Sequence, residues 1–305
     1  MQNNKNNIEL ATKYSDSLFI YSKALELTTF ELLSITQKGI IEFRKYNYRK
    51  AIEFWRNGLS HRKINHYPVQ QSNLLNNISI GYSVLGEKDS IIFYMSKAIA
   101  LNRKMKNEDS LIKNLHSISD AYINFFDYGS AEKYTTELQT IALKTGNKKA
   151  LAKSYALLAK ISTQEYDFVS SVELYNKAIE IYKRLEPDNL IMLRGLIFLS
   201  LTSTYDDKKY NKALKGFLNL KKIYSENLND KNFDIYLNAY ILNCYNELKI
   251  TDDSLELYNN IQKLFNENIK LTPNRKAVIA NCLSAREIIT KEINIKTLNR
   301  LINSL

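Results

Sequence analysis

Six stretches of this chain carry the same design at nearly equal intervals. They are YNYRKAIEFW (46–55), GEKDSIIFYM (86–95), FDYGSAEKYT (126–135), EYDFVSSVELY (165–175), KKYNKALKGF (208–217) and KITDDSLELY (249–258). Each runs from a short polar turn, often with an aromatic, into an amphipathic helix. The equivalent positions Ala51, Ile91, Ala131, Ser171, Ala213 and Ser254 are spaced by 40, 40, 40, 42 and 41 residues. Upstream of each turn lies a second amphipathic helix: Leu75, Ile78, Tyr82 and Leu85 form one stripe, Leu115, Ile118, Tyr122 and Phe125 another, and Tyr245 and Leu248 take corresponding places. An arbitrary bundle has no reason to keep such a period. A helical hairpin cannot bury its apolar face alone, but a stack of hairpins can.

Composition agrees with helix throughout. The 305 residues include 8 Gly, 3 Pro and 21 Tyr, too few turn-formers for a β architecture that uses Gly and Pro at every hairpin. Pro68, Pro187 and Pro273 fall between the expected hairpins, and Gly86, Gly129 and Gly146 are expected at corners. No Ser/Gly-rich linker divides the chain.

These residues resemble the tetratricopeptide repeat (TPR) family. Gly39, Ser79, Ser119 and Ala159 match the family's small eighth position, and Tyr82, Tyr122 and Tyr245 its eleventh. Tyr48, Tyr128, Phe168 and Tyr210 match the seventeenth, Trp55, Tyr175, Phe217 and Tyr258 the twenty-fourth, and Ala98 and Ala178 the twenty-seventh. The resemblance implies an all-α fold, a right-handed superhelical solenoid of antiparallel helix pairs. A period near 40 points to the long-repeat branch. Residues 31–273 are expected to form six hairpins. Residues 1–30 and 274–305 are expected as capping helices, the first near Ile8–Thr28 and the last near Asn274–Ile293, with the short stretch Lys296–Leu305 after it. The competing reading of both ends is that the chain is cut from a longer one.

The sequence offers no chemistry. It has no phosphate-binding glycine loop, no GxGxxG, no HExxH and no GxSxG elbow. His61, His66 and His116 lack metal-ligand spacing with Cys244 and Cys282, and each cysteine sits in an apolar helical stretch as a small hydrophobe. The expectation is therefore no catalytic residue, no metal and no cofactor. The longest apolar run, Leu190 to Leu201, is broken by Arg194 and is too short for a bilayer. With no export signal visible and two isolated thiols, the expected location is cytoplasmic.

Binding is what remains. In the resembled family the first helix of each pair lines a concave groove through its second, fifth, ninth and twelfth positions. Here these give Asn73 and Asn76, with Asn77 beside them, then Lys113, His116 and Asp120, then Lys153 and Lys160, and finally Asn243 and Asn246. Asn amides both donate and accept toward an extended peptide, and the lysines favour an acidic group. The family's clamp for a terminal carboxylate is matched only at Asn77 and Lys113, while Thr36, Ile40 and Ser117 depart from it. A second expected surface is basic. The formal net charge is +11, and residues 1–70 carry 11 Lys+Arg against 6 Asp+Glu, with Arg44, Lys45, Arg49 and Lys50 together. That patch reads as a solvated face, or as a dock for an acidic partner or nucleic acid. The leading expectation is a non-catalytic protein- or peptide-binding scaffold, bacterial and regulatory. The alternatives are a regulator resembling peptide-pheromone receptors and a nucleic-acid-binding repeat. The Asn/Lys/Ile-rich composition fits an AT-rich bacterial genome.

Overall fold

Corners set the architecture. In the computed structural model, which describes residues 2–228, 230–250, 252–266 and 273–302, a residue with positive φ recurs with a regular step. Glu26, Tyr46, Gly86, Lys106, Phe126, Gly146 and Tyr166 follow one another at intervals of 20 or 40, and Lys208 and Lys249 continue the series. At each such corner the next backbone N–H reaches back to a carbonyl five residues earlier. Examples are Glu87 to Tyr82 at 3.1 Å, Asn107 to Asn102 at 3.0 Å and Asp127 to Tyr122 at 3.0 Å. This is the left-handed helix stop that satisfies the last carbonyls. At several of these corners the side chain of the same residue then caps the following helix. Asn107, Asp127 and Asp167 accept from the backbone N–H of Ser110, Ser130 and Ser170, each at 3.1 Å. A helix therefore ends and the next begins with no spare residue between them.

The helices are α1 (Gln2–Ala24), α2 (Thr28–Arg44), α3 (Tyr48–Leu59), α4 (Pro68–Leu85), α5 (Lys88–Met105), α6 (Glu108–Asn124) and α7 (Tyr128–Thr145). They continue as α8 (Lys148–Gln164), α9 (Phe168–Leu185), α10 (Leu190–Asp206), α11 (Tyr210–Leu228), α12 (Lys231–Leu248), α13 (Asp252–Asn266) and α14 (Pro273–Ile302). A short 3-10 turn, Ile64–His66, precedes α4. Two units divide the chain, Met1–Leu157 and Leu158–Leu305, the boundary falling within α8.

In the first unit α2 pairs with α3, α4 with α5 and α6 with α7, and successive pairs join through α3 on α4 and α5 on α6. In the second unit α9 packs on α10, α10 on α11, α11 on α12, and α12 on both α13 and α14. The repeat explains the packing. Ala51, Ile91, Ala131, Ser171 and Ala213 are each the fourth residue of their helix and, with Ser254, are at most 2% exposed. A small side chain there lets two helices approach closely. The first unit's core gathers Leu32, Ala51, Ile52, Trp55, Leu74 and Ile78. The second has a core of Ile235, Ala239, Leu242, Ile261, Ile279 and Cys282. Beside it Phe198, Phe217, Phe233, Tyr236 and Tyr240 form an aromatic cluster with centroids 5.3–5.7 Å apart.

Several sequence boundaries move. The helix expected near Ile8–Thr28 stops at Ala24, because Glu26 takes the corner and Thr28 already opens α2. The last helix runs beyond Ile293 to Ile302. Gly86 and Gly146 occupy left-handed corners as expected, but Gly129 lies in the first turn of α7, and Phe126 makes that corner instead.

Candidate functional site

The expected groove residues of the first unit lie on successive first helices. Asn73, Asn76 and Asn77 sit on α4, Lys113, His116 and Asp120 on α6, and Lys153 on α8. Asn73 and Lys113 are exposed, and the others are half-buried. The structure adds a polar ladder beneath this face that the sequence reading missed. Asn102, fully buried on α5, donates through Nδ2 to Ser72 Oγ on α4 at 2.8 Å and to Asn114 Oδ1 on α6 at 2.5 Å. Asn114 in turn donates to Asn76 Oδ1 at 2.9 Å. Asn76 is thus partly engaged in joining α4 to α6, and its carbonyl is already hydrogen-bonded. The ladder's signal in the sequence was faint: Asn114 and Asn102 are isolated amides on apolar stripes.

In the second unit Lys160 on α8 and Asn243 on α12 are half-buried, while Asn246 is buried. Neither polar atom of the Asn246 amide has a hydrogen-bond partner among the described residues. Asn243 is thus the more reachable amide of the two. The arginine that interrupts the apolar run, Arg194, is 6% exposed. Its Nη2 donates to Asp230 Oδ2 at 2.8 Å, and its guanidinium lies 3.9 Å from the Phe233 ring centroid. Burial would raise the Asp230 carboxyl, but the hydrogen bonds from Arg194 and the Phe233 N–H outweigh it and hold the group below its ordinary range.

The basic patch is largely internally paired. Lys45 Nζ reaches Glu42 Oε1 at 3.1 Å, Lys50 Nζ reaches Glu42 Oε2 at 3.4 Å, and Asn47 donates to the same carboxylate at 2.9 Å. Burial opposes the charge on Glu42, yet these donors keep its carboxyl below the usual value. Arg49 lies 3.7 Å from Glu87, which leaves Arg44 as the member of the four that makes no ion pair among the described residues. Among the described residues no group of three or more His, Cys, Asp or Glu could hold a metal ion, and no helix is long and apolar enough to cross a membrane.

No protein-family model matches the chain, and no curated protein sequence matches it. Solved structures do. A tetratricopeptide repeat protein from Parabacteroides merdae aligns with a TM-score of 0.60 at 14% identity, over 93% of this chain and 99% of that one. A STAND signal-transduction ATPase with a tetratricopeptide repeat sensor, from Pyrococcus horikoshii, gives 0.65 at 15% identity, over 86% of this chain and 42% of that one. The chain is an all-α, TPR-like solenoid of antiparallel helix pairs. A Rap protein complexed with competence and sporulation factor aligns at 0.57 with 14% identity, over 86% of this chain and 76% of that one. At these identities the likeness is one of fold. The TPR-like signature positions behave accordingly: Gly39, Ser79, Ser119 and Ala159 are all buried where neighbouring helices meet.

Proposed function

We propose that this chain is a non-catalytic scaffold that holds a segment of a protein or peptide along its first-helix face, with a regulatory or signalling role in the bacterial cytoplasm. The observation that carries the reading is the hydrogen bond between Asn114 and Asn76. It links α4 to α6, the two helices that carry Asn73 and Lys113, both of which are exposed. Amides offer paired donors and acceptors to an extended backbone, and the lysine favours a carboxylate. In the long-repeat TPR-like reading, α1 and α14 act as the caps of the helix stack and residues 31–273 supply the six pairs. The reading is supported by one protein of similar fold, a signal-transduction ATPase whose tetratricopeptide repeat part is a sensor.

The test uses two exposed positions, so that the ladder stays intact. Partner binding, with the partner first retained on the wild-type chain from its host, should weaken at least about tenfold for Asn73→Ala with Lys113→Ala while the helical melt is unchanged. Equal affinity by calorimetry would remove the reading.

A regulator that responds to a signalling peptide is the second reading, supported by the likeness to a Rap protein bound to its factor. It requires a short peptide to raise the melting temperature in a concentration-dependent way. Nucleic-acid binding through the first repeat has less support, since Glu42 engages two of its four cations. It demands an affinity that falls steeply with salt.

A further inference from the structure

A hollow of about 680 Å³ opens on the opposite set of helices in the first unit, between α3 and α5 and over α4. Leu59, Leu75, Tyr94 and Leu101 give it an apolar floor, and Arg56, Lys97 and Lys104 stand around it. None of its lining residues is acidic, and none of these three cations makes an ion pair among the described residues. Phe93 is 52% exposed at its edge, with Lys97 Nζ 4.1 Å from its ring centroid. None of the expected groove residues contributes to it.

Uncompensated positive charge around a half-buried apolar floor, with the exposed ring of Phe93 at its edge, is a stable arrangement only because water solvates the rim; covering Phe93 and the remaining exposed part of the floor is favourable. Lys97 and Lys104 are seven residues apart on α5, two helical turns, so their charges lie roughly 10 Å apart along the axis. Phe93 and Leu101 fall four residues to either side of Lys97, on the same stripe. A complementary surface has carboxylates at the same separation and large apolar side chains between them. On a helix that is an acidic pair at i and i+7 with apolar residues at i+3 and i+4. A neighbouring hollow of about 330 Å³ shares Arg56 and Ser60 but carries Glu53, which repels a carboxylate and confines the acidic contacts to the α5 side.

We propose that the α3–α5 hollow docks an acidic amphipathic helical segment of a partner protein, separately from whatever the first-helix face holds. A nucleic-acid backbone would answer the cations but leave the aliphatic floor uncovered.

The experiment is a selection from a phage-displayed random peptide library on the whole chain, followed by affinity measurement of the winning peptides. Enriched sequences should pair acidic residues seven apart around Leu, Ile or Phe. Their binding should weaken at least about tenfold for Lys97→Glu with Lys104→Glu, survive Lys97→Arg with Lys104→Arg, and be indifferent to Asn73→Ala with Lys113→Ala. Should the charge reversal disturb the helical melt, Lys97→Gln with Lys104→Gln carries the same expectation of loss. Winners without an acidic bias, or winners that bind the reversed variant equally, overturn the proposal. So do winners lost only with Asn73 and Lys113, which belong to the other face. Oligothymidylate that displaces the peptides and binds more tightly would assign the hollow to nucleic acid. Concentration-dependent self-association abolished by the reversal would assign it to a second copy.

Discussion

The indole of Trp55 fills the space that a Cβ on Gly39 would need, and its Nε1 donates to the Thr36 carbonyl at 3.1 Å. The contact joins α2 to α3 at the eighth and twenty-fourth positions of the repeat. Gly39→Ala must push the ring or the helix aside, at a cost of about 1–3 kcal/mol. Trp55 is the chain's single tryptophan, so urea unfolding followed by its fluorescence reports directly on the site. An unchanged midpoint would mean that the pair tolerates separation and that glycine is there for another reason.

Removing the centre of the buried ladder should cost more than its size suggests. Asn102→Ala leaves Ser72 and Asn114 without their donor in a dry interior, which costs about 2–3 kcal/mol. Asn102→Asp should be worse, because it sets a carboxylate against the Asn114 carbonyl oxygen. Thermal or urea melts of the three proteins order them. An Asp variant as stable as wild type would contradict the assigned ladder.

Substituting a corner aromatic should stabilise the chain. Phe126 is 76% exposed and held at φ 59°, a conformation that costs an L-residue about 1–2 kcal/mol. Phe126→Gly relieves that strain and adds some backbone entropy cost, for a net gain of about 0.5–1 kcal/mol. Phe126→Val should lose stability, since a β-branched residue fits the left-handed region poorly. Comparing the two midpoints separates strain from lost ring contacts.

How much of this could be read from the chain alone follows from these same residues. Gly39 and Trp55 were legible because a missing side chain and a large one recur in register with a known pattern. So were the buried positions from Ala51 to Ser254, whose spacing is the repeat itself. Phe126 was not. Among the described residues two of the nine left-handed corners are glycine, so turn chemistry marks only those, and Gly129 drew the corner three residues too far along. The Asn102–Asn114–Asn76 ladder was hidden for a different reason, since an isolated amide carries no sequence sign of whether it meets water or another amide. For the groove residues, the helix of each was legible but the exposure was not: Asn73 and Lys113 face solvent, whereas Asn246 is buried.

Alkaline pH should destabilise the second unit. Burial pushes the thiols of Cys244 and Cys282 up to about 12 from an ordinary value near 9, with Glu247 adding to the effect at Cys244. Above about pH 9 the unfolded chain loses these protons while the folded chain keeps them. Stability is therefore full below that point and falls between about 9 and 12, by up to about 1.4 kcal/mol per pH unit for each thiol. Urea titrations at about pH 8 and about pH 10.5 measure the slope, and Cys244→Ala should lessen it without abolishing it, since Cys282 and the buried Tyr205 and Tyr240 still contribute. In the native state at neutral pH both thiols should resist iodoacetamide and react once the chain is unfolded.

The corners that close one helix and open the next in consecutive residues leave those junctions without slack. A single inserted residue in α6 or α7 cannot be absorbed by its loop; it must rotate everything beyond it by about 100° and turn the buried stripe toward water. Among the described residues, length changes are thus more tolerable in whole helix pairs, at the 3-10 segment Ile64–His66 between α3 and α4, or in the link 186–189 between α9 and α10, neither of which is a left-handed corner. Within each unit the pairs are geared, one meshing with the next like teeth that allow no half step.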